Sequence, residues 1–245
     1  MNSFTRFACI VGLSAFAASE FALARIKLIS LPVRDRVEMR LDHASATLVE
    51  EERTVPLSAG VNTIDFSWAN TQVDSNSIVL RIMSDLDAKV LSVSYPPNEQ
   101  ALVWRVAAAQ ASSARVRISY LLGRIEKQYH YRALATNDER TLQLSQYVRL
   151  NNESNENFGK TAIRLENNRS LERELAHAQT REVLVQRWPA VSLEKTFTAS
   201  LKDFGWLNQI EHKMQVAMHY VVTNDAKSGL GEVTLPHGKV RIFQD

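Results

Sequence analysis

A chain of 245 residues with 45% hydrophobic content can bury a substantial core, as one large or two smaller domains, without disulfides or metals to hold it. Its 29 Lys plus Arg against 27 Asp plus Glu leave a net charge of +2, which excludes a nucleic-acid footprint or a polybasic membrane surface. The single cysteine, Cys9, excludes a disulfide framework and thiolate metal sites from everything that follows it.

In chain order, the first feature is an export signal over residues 1–24. Arg6 supplies a positive start, Phe7 to Ala18 an apolar run, and Ala22-Leu23-Ala24 a small-x-small cleavage site before Arg25. Ala15-Phe16-Ala17 fits the same pattern, but cutting there would leave apolar Phe21 to Leu23 on the new end. The run falls short of the roughly 20 residues a spanning helix needs, so no transmembrane anchor is expected once the signal is removed. Cys9 should leave with it. The reading is an exported protein of the periplasm or the extracellular space.

Period-two alternation follows almost throughout. Val37-Glu38-Met39-Arg40-Leu41 alternates apolar and charged residues, the pattern of a half-buried strand. Further strands are expected at Thr47 to Leu57, Val61 to Phe66, Ile78 to Ile82, Lys89 to Tyr95, Leu102 to Val106 and Val116 to Leu122. Turn chemistry separates them at Ser58-Ala59-Gly60, Asp74-Ser75-Asn76, Asp85-Leu86-Asp87 and Pro96-Pro97-Asn98. The second half adds strands at Gln128 to Ala133, Thr141 to Asn151, Lys160 to Leu165, Val191 to Ala199, His212 to Thr223, Glu232 to Leu235 and Lys239 to Phe243. Ser170 to Val183 reads as the one short helix: Leu171, Leu175 and Ala178 fall at helical spacing, Ser170 is a plausible N-cap, and Glu172 and Glu174 sit in the first turn. The fold class is therefore mainly β, with antiparallel sandwich regions and a helix near 170–183. A division into residues 25–107 and 108–245 is expected. Two segments echo each other, Tyr147 to Ile163 and Tyr220 to Leu235, each reading as strand, Asn-containing turn, Gly, strand. Hairpin loop requirements explain this without duplication.

Gly60 to Asn70, Leu91 to Pro97, Thr223-Asn224-Asp225 with Gly229-Leu230-Gly231, and Gly238 to Phe243 together resemble the secreted bacterial family that carries domain of unknown function 4139, related to mucoidy inhibitor A-like proteins. The resemblance covers most of the chain after the signal and implies a β-rich exported protein. It carries no catalytic motif. Chains of that kind continue past Arg241-Ile242-Phe243 with further strands, and Val240 to Phe243 is an apolar strand that needs a partner, so the sequence is expected to be incomplete at Asp245.

The chemistry-bearing residues are scattered. His43, His130, His177, His212, His219 and His237 form no i, i+4 pair, Ser112-Ser113 has no neighbouring base, and no Gly-x-Ser-x-Gly elbow or phosphate-binding glycine loop occurs. Glu50-Glu51-Glu52, or Asp85 with Asp87, could supply glycosidase carboxyls, but consecutive strand residues alternate faces and acids at a turn are usually solvated. Two acids also fall short of a calcium site. No catalytic, cofactor-binding or metal-binding residue is therefore expected. Tyr129 and Tyr131 share one strand face with His130 on the other, a stripe that fits core packing. Phe204-Gly205-Trp206 lies between strands and reads either as an exposed contact or as a lid on the core. The expectation is a non-catalytic envelope module that binds an envelope protein or polysaccharide and no nucleic acid. The alternative is an envelope carbohydrate or peptide hydrolase whose carboxylates are assembled by the fold.

Overall fold

The computed structural model describes residues 27–43, 45–84, 87–199 and 216–244. The signal with Ala22, Ala24 and Arg25, the Asp85-Leu86 pair, Phe204, Trp206 and His212 lie outside the described residues.

The protein is mainly β. Sheet A joins β1 (Lys27–Ser30), β4 (Gly60–Ser67), β7 (Ala101–Ala108) and β6 (Ala88–Ser94) in the order β1-β4-β7-β6. Sheet B has six strands: β12 (Ser170–Leu175), β11 (Phe158–Arg164), β2 (Arg36–Arg40), β3 (Thr47–Leu57), β8 (Ser112–Leu122) and β5 (Val79–Ile82). Sheet C runs β13 (Gln179–Ser192), β10 (Thr141–Asn152), β9 (Ile125–Ala135), β16 (Gly238–Gln244). A ribbon of β14 (Glu194–Thr198) and β15 (Ala217–Val221) stands apart from these sheets. Pairing is antiparallel except for β1 with β4, β11 with β2 and β16 with β9. Among the described residues no helix is long and apolar enough to cross a membrane.

Alternation built the sheets, because a strand with one buried face sends every second side chain inward. Along β8, Ala114, Val116, Ile118, Tyr120 and Leu122 are buried, and along β7 Leu102, Trp104 and Val106 are. Sheets A and B meet through Phe66, whose ring lies 5.8 Å from both Trp104 of sheet A and Tyr120 of sheet B, tilted to each. Sheet C buries Leu142, Leu144, Val148 and Leu150 of β10 in the same continuous core, beside Ile163 and Leu175 of sheet B. Sheet B takes strands from both sides of the 107/108 boundary.

The helix expected over 170–183 is corrected to two strands in different sheets: β12 at the edge of sheet B, a turn at Ala176 to Ala178, then β13 at the edge of sheet C. Leu171 and Leu175 are four apart, a spacing that satisfies both a helical face and a strand face. They pair with Ile163 and Phe158 of β11, and Glu172 points outward to Lys160 at 3.1 Å. Ala178, expected on the apolar stripe, adopts φ 58° in the turn. The open side of β11 offered backbone partners that outweighed helix propensity.

The two echoed hairpins are not hairpins either. β10 and β11 belong to different sheets, and the loop between them is knotted around Asn152, whose amide donates to Glu156 O at 2.8 Å and Leu175 O at 3.1 Å. After β15 the chain passes through residues 222–237 without a strand at Glu232 to Leu235, and β16 pairs with β9. The strand expected over Val191 to Ala199 breaks at Leu193, which is buried and donates its N–H to Arg140 O at 2.8 Å, so β13 stays in sheet C and β14 leaves it.

Candidate functional site

The outer face of sheet C is uncovered, and the register places its residues. Tyr147 of β10 stands between Leu184 of β13 and His130 of β9, and His130 stands opposite Lys239 of β16. One row along, Ser145 lies between Arg187 and Arg132, and Arg132 lies opposite Arg241. One row the other way, Arg149 faces Glu182 and Gln128. The inner face of β9 carries Tyr129 and Tyr131, so the expected division of the two tyrosines from His130 is what the strand shows.

Glu182 is the node of this face. Its carboxylate meets His130 Nε2 at 3.1 Å, Arg132 Nη2 at 2.5 Å and Arg149 Nη2 at 3.2 Å. Burial pushes the Glu182 carboxyl up, but the hydrogen bonds and charges of these three neighbours more than offset it and hold it below the usual carboxylate range. The His130 and Tyr147 rings stack at 5.4 Å and 7°, and the Arg132 guanidinium lies 4.5 Å from the Tyr147 centroid. Both aromatic rings are thus engaged within the face. With Arg149, Arg132, Arg187, Lys239 and Arg241 set against Glu182 and Glu126, cations outnumber acids.

A cavity of about 540 Å³ opens where β16 begins, lined by residues of both faces of β9 together with Glu166, Arg149, Pro236 to Lys239 and Arg241. Glu166 accepts hydrogen bonds from the Lys127 ammonium and the Tyr129 hydroxyl. Burial alone would raise its carboxyl, yet these two donors hold it below the usual range. Tyr129 responds in the opposite sense: burial and the bond to Glu166 push its phenol well above 10. Tyr131 donates to Pro236 O at 2.6 Å and accepts from Gln146 Nε2 at 3.2 Å, which ties the approach to β16 onto the sheet. Gly238 permits that approach, because a Cβ there would sit 2.4 Å from Tyr129 O.

The acids singled out from sequence separate as alternation requires. Glu51 turns inward and is fully buried, while Glu50 and Glu52 turn outward to Arg117. Glu38 joins them on the outer face of sheet B, bound to Arg36 and Arg164. Asp87 is exposed beside Lys89. His43 and His177 accept backbone N–H groups at 3.2 Å, and His219 lies on the ribbon. Among the described residues no cluster of three or more metal-ligating side chains occurs.

The Glu182 node is hidden in the sequence because the leucine spacing over 170–183 places Glu182 on a helix, and because the tyrosines draw attention to the other face of β9. The signal was present: Gln128, His130 and Arg132 share one strand face, as do Lys239 and Arg241, and both faces are polar or basic. The chain matches no family model, no curated protein and no solved structure.

Proposed function

We propose that this chain is an exported, non-catalytic module of the bacterial envelope that binds an envelope protein or polysaccharide through the open face of sheet C. The observation that carries this reading is the surplus of cations across that face, beside a cavity whose lining contributes one carboxylate, Glu166. Polar and charged groups concentrated on an uncovered sheet suit recognition of an opposite charge. Glycosidase chemistry needs a carboxyl pair, one of them protonated, whereas Glu166 is held ionised by Lys127 and Tyr129. The acids Glu38, Glu50 and Glu52 are committed to Arg36, Arg117 and Arg164. The export reading rests on residues 1–24, and the resemblance to the secreted family with domain of unknown function 4139 belongs to the same proposal.

Two measurements test it. Expressed in a Gram-negative host, the protein should be recovered from the periplasm or medium with Arg25 as its first residue. Recovery of the chain in the cytoplasm with Met1 intact would remove export. Capture from envelope extracts by the wild-type chain should fall when Arg132 and Arg149 are replaced by alanine, and undiminished capture would move the binding surface elsewhere.

A further inference from the structure

We infer that the ligand of this face is a carboxylate-bearing polysaccharide, laid across β10, β9 and β16, with Lys239 and Arg241 taking its carboxylates. The inference rests on the reading of the sheet C face as the binding surface. Three features of the face select the chemistry.

The first is which cations are free. The carboxylate contacts of Arg132, Arg149 and His130 all converge on Glu182. Lys239 and Arg241, on the edge strand, pair with no acid among the described residues, and their side chains are exposed. A guanidinium matches a carboxylate with two parallel hydrogen bonds, and an ammonium meets one as a point charge.

The second is spacing. Neighbouring strands lie about 4.8 Å apart and alternate residues on one strand about 7 Å apart. Lys239 and Arg241 therefore hold their charges at two separate points along β16, with Arg132 and Arg149 on the strands behind. Cations dispersed in this way suit a repeating anion more than one small anion gripped at a centre.

The third is apolar surface beside the charge. Phe243 follows Arg241 on the same face, is 51% exposed, and stands opposite Leu134, itself 38% exposed. A sugar ring presents an apolar C–H face that can pack on such a pair while its carboxylate reaches Arg241. A nucleic acid would instead call for a strongly basic surface, and the net charge of +2 is far from such a footprint.

The test titrates the full chain with polygalacturonate, with fully methyl-esterified polygalacturonate as a neutral backbone control, and with a single-stranded DNA oligonucleotide. Binding to polygalacturonate is expected, weakening as salt is raised and lost on esterification. The double variant K239A/R241A should bind roughly tenfold more weakly while Tm moves by less than about 2 °C, since both side chains are exposed. Charge reversal, K239E/R241E, should abolish binding.

Equal affinity for the esterified polymer, tighter binding to the oligonucleotide, no binding to polygalacturonate, or an unchanged K239A/R241A variant would each overturn the inference. Envelope capture separates this failure from failure of the binding face. If the wild type captures an envelope component that K239A/R241A and R132A/R149A release, the face stands and only the ligand class falls. If all three capture alike, the face itself falls.

Discussion

Glu51 is an acid removed from water in the middle of a strand, and it is tolerable only because two guanidiniums reach it. Arg53 donates to Oε1 through Nε at 3.0 Å and Nη2 at 2.9 Å, and Arg34 Nε lies 2.5 Å from Oε2. Arg34 also binds Glu156 and lies over the Phe158 ring at 5.6 Å, and with the Asp35 N–H donating to Glu52 O at 2.8 Å and the Thr54 hydroxyl to Asp35 Oδ2 at 2.8 Å it fastens the segment between β1 and β2 to sheet B. Removing one partner of such a group leaves a buried charge uncompensated. Arg34→Ala is therefore expected to cost about 3 kcal/mol in denaturant unfolding, and a loss near that of an exposed pair would mean that water reaches Glu51. Glu182 gives a pH dependence of known sign. Its carboxyl is held below the ordinary 4.5, so its contribution is complete above about pH 4.5 and is lost as the pH falls through the lowered folded value. Glu182→Gln should lower Tm at pH 7, where it leaves Arg132 and Arg149 without their anion, and the gap to wild type should close on acidification toward pH 3.

At the scale of elements, alternation was legible and pairing was not. β3 spans Thr47–Leu57 as its pattern predicts, because its inward positions are Thr47, three apolar residues, and Glu51 and Arg53, which compensate each other. The stretch over 170–183 misled because leucines four apart fit two periodicities, and only the open side of β11 decides between them. Partners distant in sequence, such as β16 with β9, leave no local trace beyond the small residue at the point of contact. That residue, Gly238, supplies a prediction. With a Cβ forced to 2.4 Å from Tyr129 O, Gly238→Ala must push the start of β16 off β9. Hydrogen exchange should show lost protection along Gly238–Gln244 while β2 and β3 keep theirs, because β16 is an edge strand and the sheet B strands lie in the core. Polysaccharide binding should fall with it. The candidate site was half visible for the same reason: the basic faces of β9 and β16 could each be read, but their adjacency could not.

Across the whole molecule, sheets A, B and C share one continuous core, and its aromatic centre joins strands far apart in sequence. Phe66 touches Trp68, Trp104 and Tyr120, so truncating it opens a void between sheets A and B. Phe66→Ala should cost about 3–5 kcal/mol, and a much smaller loss would mean that the two sheets do not pack through it. The same core is expected to contribute to the alkaline limit of the fold. Tyr120 is buried there, and burial first, then the nearby Glu51 carboxylate, push its phenol above the ordinary 10. Tyr129 is raised by burial and by its bond to Glu166. A group whose folded value is raised contributes fully below its unfolded value and loses that contribution as the pH climbs past it. Stability should therefore hold up to about pH 10 and decline above it, as unfolded tyrosines ionise and folded ones resist. Tyr120→Phe should flatten part of that decline and the double replacement with Tyr129→Phe more of it, because a phenyl ring has no proton to lose. A decline of unchanged steepness in the double variant would place the alkaline sensitivity in the lysines rather than in the core.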